Sequence, residues 1–119
     1  MAKLKVIDDS NFAQTVLQHV GPVLVEFTAP WCNPCKMLDP VLEELNAEYS
    51  GRILFTSINT DENYDAAIQY GVQNMPTMVL FEGGREVQRL VGYTPKAKLK
   101  QQIDRAFTAV PASPGRAHG

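Results

Sequence analysis

Apolar positions along this chain fall into two rhythms, and each change of rhythm marks an element. Pro22-Val23-Leu24-Val25-Glu26-Phe27 is short, apolar and rich in β-branched residues. A central strand covered on both faces reads this way. Strands are also predicted over Lys3–Ile7, Arg52–Ile58, Thr77–Phe81 and Glu86–Val91. Gly83-Gly84 joins the last two as a tight hairpin, since both glycines accept positive φ. Between the strands the spacing turns helical. Phe12, Val16, Leu17 and Val20 make one apolar face, with Asp9 or Ser10 as the cap. Met37, Leu38, Val41, Leu42 and Leu45 make another, on a helix from about Cys35 to Tyr49 that Pro40 should kink. A third helix runs from about Glu62 to Tyr70, capped by Asp61 and ended by Gly71. A fourth, from Pro95 to Phe107, places Leu99, Ile103 and Phe107 on one side.

Strands alternating with helices predict an α/β fold, with a parallel portion covered on both faces and antiparallel strands added by the closing hairpin. The chain has 119 residues, 45% apolar and 20% charged, enough for one domain with a core of its own. That domain is expected over residues 1–107. Thr108 to Gly119, rich in Ala, Pro and Gly, is expected to be a disordered tail. A net charge of −2 and no basic run argue against nucleic acid as a partner. No stretch is apolar for long enough to span a membrane. Met1 to Val6 leads straight into a strand without a signal-type apolar region, so a cytoplasmic location is expected.

The chemistry concentrates in Trp31-Cys32-Asn33-Pro34-Cys35-Lys36, which holds both cysteines of the chain where a strand hands over to a helix. Pro34 suits the first helical turn, where its missing N–H has no partner to lose. Positions three apart on a helix lie roughly 5 Å apart at Cα, which a disulfide tolerates. Cys32, at the exposed end, meets the positive pole of the helix, which favours the nucleophilic thiolate. Cys35, one turn in, is the resolving thiol. Lys36 adds a small positive contribution. The competing readings are a structural bridge and a metal site. So short a loop gains little as a bridge. A metal needs about four ligands, and only His19 and His118 are available besides the cysteines. No metal is expected, and dithiol–disulfide exchange is the favoured chemistry.

With these residues in view, the chain resembles the thioredoxin family from about Leu4 to Phe107. The likeness rests on Val25-Glu26-Phe27, on Ala29-Pro30-Trp31-Cys32-Asn33-Pro34-Cys35-Lys36-Met37, and on Pro40, Asn59, Asp61, Met75-Pro76-Thr77, Gly84 and Gly92. The resemblance implies a thioredoxin fold, a central mixed five-stranded sheet flanked by four helices, and it supplies the strand order. It also implies a cis Met75-Pro76 bond, whose Met75 backbone is free to pair with an extended substrate segment. Trp31, Asn33, Pro34, Gly71, Val72, Met75, Pro76, Val91 and Gly92 are then substrate-binding residues, several of them an apolar rim around Cys32. Glu26 shares a strand face with Leu24. If buried, its carboxyl would hold a raised pKa and exchange a proton with Cys35, directly or through a water. Four positions depart from the family's usual residues: Asn33 for Gly, Glu26 for Asp, Thr28 for Trp and Ser57 for Lys.

The expected activity is protein-disulfide reduction by a Cys32/Cys35 cycle. The clients are disulfide-containing proteins. The resemblance implies that electrons come from NADPH through a flavoprotein thioredoxin reductase, with no cofactor bound by the chain itself, which is expected to be monomeric. Two rival readings remain at this point. One is a more oxidising isomerase- or oxidase-like relative; the other is a protein-binding module whose redox chemistry is incidental.

Overall fold

A computed structural model describes residues 3–107. The expected tail from Thr108 lies outside the described residues. Among these residues five strands form one sheet: β1 (Lys5–Ile7), β2 (Val23–Thr28), β3 (Leu54–Asn59), β4 (Thr77–Glu82) and β5 (Arg85–Val91). Their spatial order is β1-β3-β2-β4-β5. β1 and β2 pair parallel with β3, whereas β4 runs antiparallel to both β2 and β5. The expected mixed thioredoxin-type sheet is therefore present. Among the described residues four helices flank it: a π-helical turn (Ala13–Leu17), α1 (Asn33–Glu48), α2 (Tyr64–Gln69) and α3 (Lys96–Ala106).

Side-chain alternation along β2 divides the core. Leu24 joins Leu38, Leu42 and Leu45 of α1 and Leu99 and Ile103 of α3 on one face. Val23, Val25 and Phe27 join Phe12, Val16, Ile58, Ala66, Val79 and Phe81 on the other. Each strand residue leaves its pleat on the side opposite its neighbour, so Glu26 faces the α1 side with Leu24.

Several expected boundaries shift, each for a local reason. The first helix closes as a π turn with Gln18 N–H bonded to the Ala13 carbonyl, so Val20 lies beyond it, 94% exposed instead of buried. Asp9 caps neither the first helix nor its own turn. Its carboxylate oxygens accept the N–H groups of Asp65 and Ala66, both at 3.1 Å, at the start of α2. Asp8 takes the local role, accepting from the N–H groups of Ser10 and Asn11. Asp61, expected to cap α2, stands outside a helix whose N-cap is Asn63. Met37 is exposed, because it sits about 100° around α1 from buried Leu38. The hairpin glycines take φ of +62° and +79°, and a Cβ on Gly84 would meet the Leu17 carbonyl oxygen at 2.4 Å. That position requires glycine on both counts.

Candidate active site

α1 begins where β2 ends, and the cysteines sit at that junction. Cys32 is the N-cap, in extended conformation, with Asn33 and Pro34 opening the first turn. Cys32 and Cys35 are joined in a disulfide, their Cα atoms 5.3 Å apart. The N–H of Cys35 donates to Cys32 Sγ at 3.2 Å. The sulfur thus fills the place an oxygen takes in an ordinary cap, satisfying one of the helix's orphan donors. The same donor, at the positive end of the helix, favours negative charge on that sulfur once the bridge opens.

The expectation that Cys32 is exposed does not hold for this oxidised state. Both cysteines are 2% exposed and pack with Ala29, with Met75 lying against them. In this state the Cys32 sulfur is bonded to Cys35 Sγ and also accepts the Cys35 N–H.

The surrounding surface is partly apolar and open. Trp31 is 63% exposed, and its indole N–H donates to Asp61 Oδ1 at 3.0 Å. Sequence reasoning missed this function of Asp61: the two residues are thirty positions apart, and no local pattern pairs them. Asn59 fixes Asp61 by accepting its N–H at 2.9 Å. The Met75–Pro76 bond is cis. Gly92 N–H reaches the Pro76 carbonyl at 2.7 Å, and Val91 pairs with Thr77 across β4 and β5, so Val91 and Gly92 flank the same loop. Val91 is exposed. Gly71 ends α2 with φ +62°, and half-buried Val72 packs against the cluster around Phe12 and Phe81. Of the expected rim, Met75 packs directly on the cysteine cluster, while Val72 packs against the separate core cluster of Phe12 and Phe81.

Glu26 meets the condition set by the sequence reading: it is buried, at 2% exposure. Its Oε2 has no hydrogen-bond partner. Burial raises its pKa from the ordinary 4.5 to about 8; the nearby Asp39 charge raises it too, and a hydrogen bond with Ser57 lowers it. Ser57 is its register partner on β3, and Met78 is its partner on β4. At neutral pH the side chain therefore carries a proton.

Two clefts meet this machinery. One, of 250 Å³, is lined by Thr28, Ala29, Pro30, Cys35, Lys36, Asp39 and Asn59. Thr28, at the end of β2, is part of its wall. The other, of 160 Å³, is lined by Lys3, Leu4, Val6, Glu26, Asp39, Glu43 and Ser57. Among the described residues, no helix is long and apolar enough to cross a membrane, and no group of three or more His, Cys, Asp or Glu side chains is placed to hold a metal ion.

Comparison with known proteins agrees with this geometry. A family model described as Thioredoxin matches residues 3–105. Thioredoxin 1 of Nostoc sp. is 44% identical over 105 residues, covering 88% of this chain and 98% of its own. Thioredoxin of Alicyclobacillus acidocaldarius is 43% identical over 97 residues, covering 82% and 91%. Thioredoxin M2, chloroplastic, of Arabidopsis thaliana is 42% identical over 102 residues, covering 86% of this chain and 55% of the longer relative.

Proposed function

The chain belongs to the thioredoxin family, and from that premise we propose how its own residues divide the work of the exchange. It is a thiol–disulfide oxidoreductase, a protein-disulfide reductase built on a redox-active Cys32–Cys35 disulfide. In the reduced protein, the Cys32 thiolate attacks one sulfur of a client disulfide. A Cys32–client bond forms, and the client's other sulfur leaves as thiolate. Cys35 then passes its proton to the Glu26 carboxylate and attacks Cys32 Sγ. The intramolecular bridge closes and the second client sulfur leaves. The return half-cycle reverses these steps with an external dithiol. A flavoprotein thioredoxin reductase drawing on NADPH is the proposed source.

The observation that carries this reading is the capped sulfur: Cys32 Sγ sits at the start of a sixteen-residue helix, holding the Cys35 N–H. Opening the bridge frees that sulfur from Cys35 and lets it turn toward a client. Met75, Pro76, Val91, Gly92 and Trp31 support an extended client segment beside it, with Gly71 and Val72 shaping the neighbouring edge. Asn33 and Pro34 set the first turn and tune the potential, Asn33 being the middle residue that differs from the family's usual glycine. Lys36 contributes positive charge in the cleft that reaches Cys35. Exchange is assigned to residues 1–107, in a monomer working in the cytoplasm. The test is reduction of insulin disulfides with dithiothreitol. The expected result is acceleration by the wild type and none by Cys32→Ser; acceleration that survives Cys32→Ser overturns the assignment.

A further inference from the structure

We propose that Asp39 is a positioning residue for the exchanged proton: it lines both the cleft that reaches Cys35 and the cleft that reaches Glu26, and its charge couples the charge of Glu26 to the opening of the disulfide. This rests on the role given to Glu26 above.

Cys35 and Asp39 are one turn apart on α1, at the i, i+4 spacing that stacks side chains on one helix face. Cys35 lines only the first of the two clefts and Glu26 only the second, whereas Asp39 lines both. Asp39 is thus the residue that the linings of the sulfur's cleft and the Glu26 cleft share. The α1 face that covers Glu26 presents acids, Asp39 and Glu43, with Lys3 as the opposing cation and Ser57 as a hydroxyl partner; Met78 of β4 is uncharged.

The chemistry follows from the charges. When an external thiolate attacks Cys32 of the closed bridge, a new sulfur–sulfur bond forms at Cys32 and the electron pair of the broken bond leaves on Cys35. Protonated Glu26 gives its proton to that sulfur, leaving a Cys35 thiol and a Glu26 carboxylate. The carboxylate is refilled from solvent along the cleft between Lys3 and Asp39. Like charge on Asp39 raises the proton affinity of Glu26 and keeps it loaded before attack. Partial desolvation and the Glu43 charge raise the proton affinity of Asp39 itself, against Lys3. Much of Asp39 is open to solvent, which weakens this coupling by screening.

The experiment uses the full chain as wild type, Asp39→Asn and Asp39→Glu. Two quantities are read: the titration midpoint of the Glu26 carboxyl by carbon NMR of the oxidised protein, and the pH profile of bridge opening by dithiothreitol, each variant expressed as a ratio to wild type. Asp39→Asn is expected to lower the Glu26 midpoint by half a unit or more and to slow opening only across the pH range where Glu26 changes charge. Asp39→Glu, which keeps the charge, is expected to restore both, and added salt to shrink the difference. A Glu26 midpoint unmoved by Asp39→Asn overturns the coupling. A midpoint that moves while the rate ratio stays flat overturns instead the use of Glu26 in the exchange.

Discussion

Glu26 holds a proton because its surroundings offer its charge so little. One oxygen lacks a partner, Ser57 offers the other a hydroxyl, and the nearest charged neighbour on α1 is another acid. The step that uses the carboxylate as a base, Cys35 attack on a Cys32–client bond, should quicken as pH rises through about 8, where Glu26 ionises. Replacing Glu26 with Gln should flatten that limb and slow resolution by about 10²-fold at its top, the low end for general acid–base catalysis. Stopped-flow resolution of a preformed mixed disulfide measures both. Burial of this residue was only half legible in the sequence: its strand neighbours are apolar, but a strand-end Glu facing solvent fits the same pattern, and the family resemblance favoured the buried reading. The nearness of Asp39 was not legible, since it depends on the azimuth at which α1 lies across the sheet.

At the scale of elements, the capping of α2 shows where local reading stops. An acid near the start of a helix was expected to cap the helix nearest in sequence. Asp9 instead caps a helix more than fifty residues away, because the loop after β1 runs past the start of α2. The Asn63 side chain fastens that loop further by accepting the Asp9 N–H at 2.9 Å. Asp9→Ala should therefore cost about 1–2 kcal/mol in urea unfolding, as lost caps do, with local loosening of α2 in hydrogen exchange. Strands and the long α1 were legible because period and length agree there. The short first helix was half legible: Phe12 and Val16 are buried, but the π turn ends before Val20. Gly84→Ala should destabilise by about 2–4 kcal/mol, since positive φ and the Leu17 carbonyl both oppose a side chain.

At the scale of the whole molecule, a proton bound more tightly in the folded state ties stability to pH. Glu26 titrates at about 8 when folded and near 4.5 when free. Between those values the folded chain holds a proton that the unfolded chain has lost, so stability falls as pH rises through this window and the loss is complete above about 8. At about 1.4 kcal/mol per unit, the full effect approaches 5 kcal/mol as an upper bound. Glu26→Gln should remove this slope, leaving the variant more stable than wild type at pH 9 by several kcal/mol, as read from denaturant midpoints at pH 5 and pH 9. Fold class was legible from the alternation of elements. Spatial strand order was not, because crossover connections follow packing on the two faces and leave no mark in the local period.

The most direct measurement is timed alkylation of the fully reduced protein with iodoacetamide across pH, with each adduct located by mass spectrometry. The account predicts that Cys32 is modified first and fast at neutral pH while Cys35 stays protected. Slow modification of Cys32 until strongly alkaline pH, or modification of Cys35 ahead of it, would contradict the claim that opening the bridge releases an ionised, reachable sulfur at the start of α1.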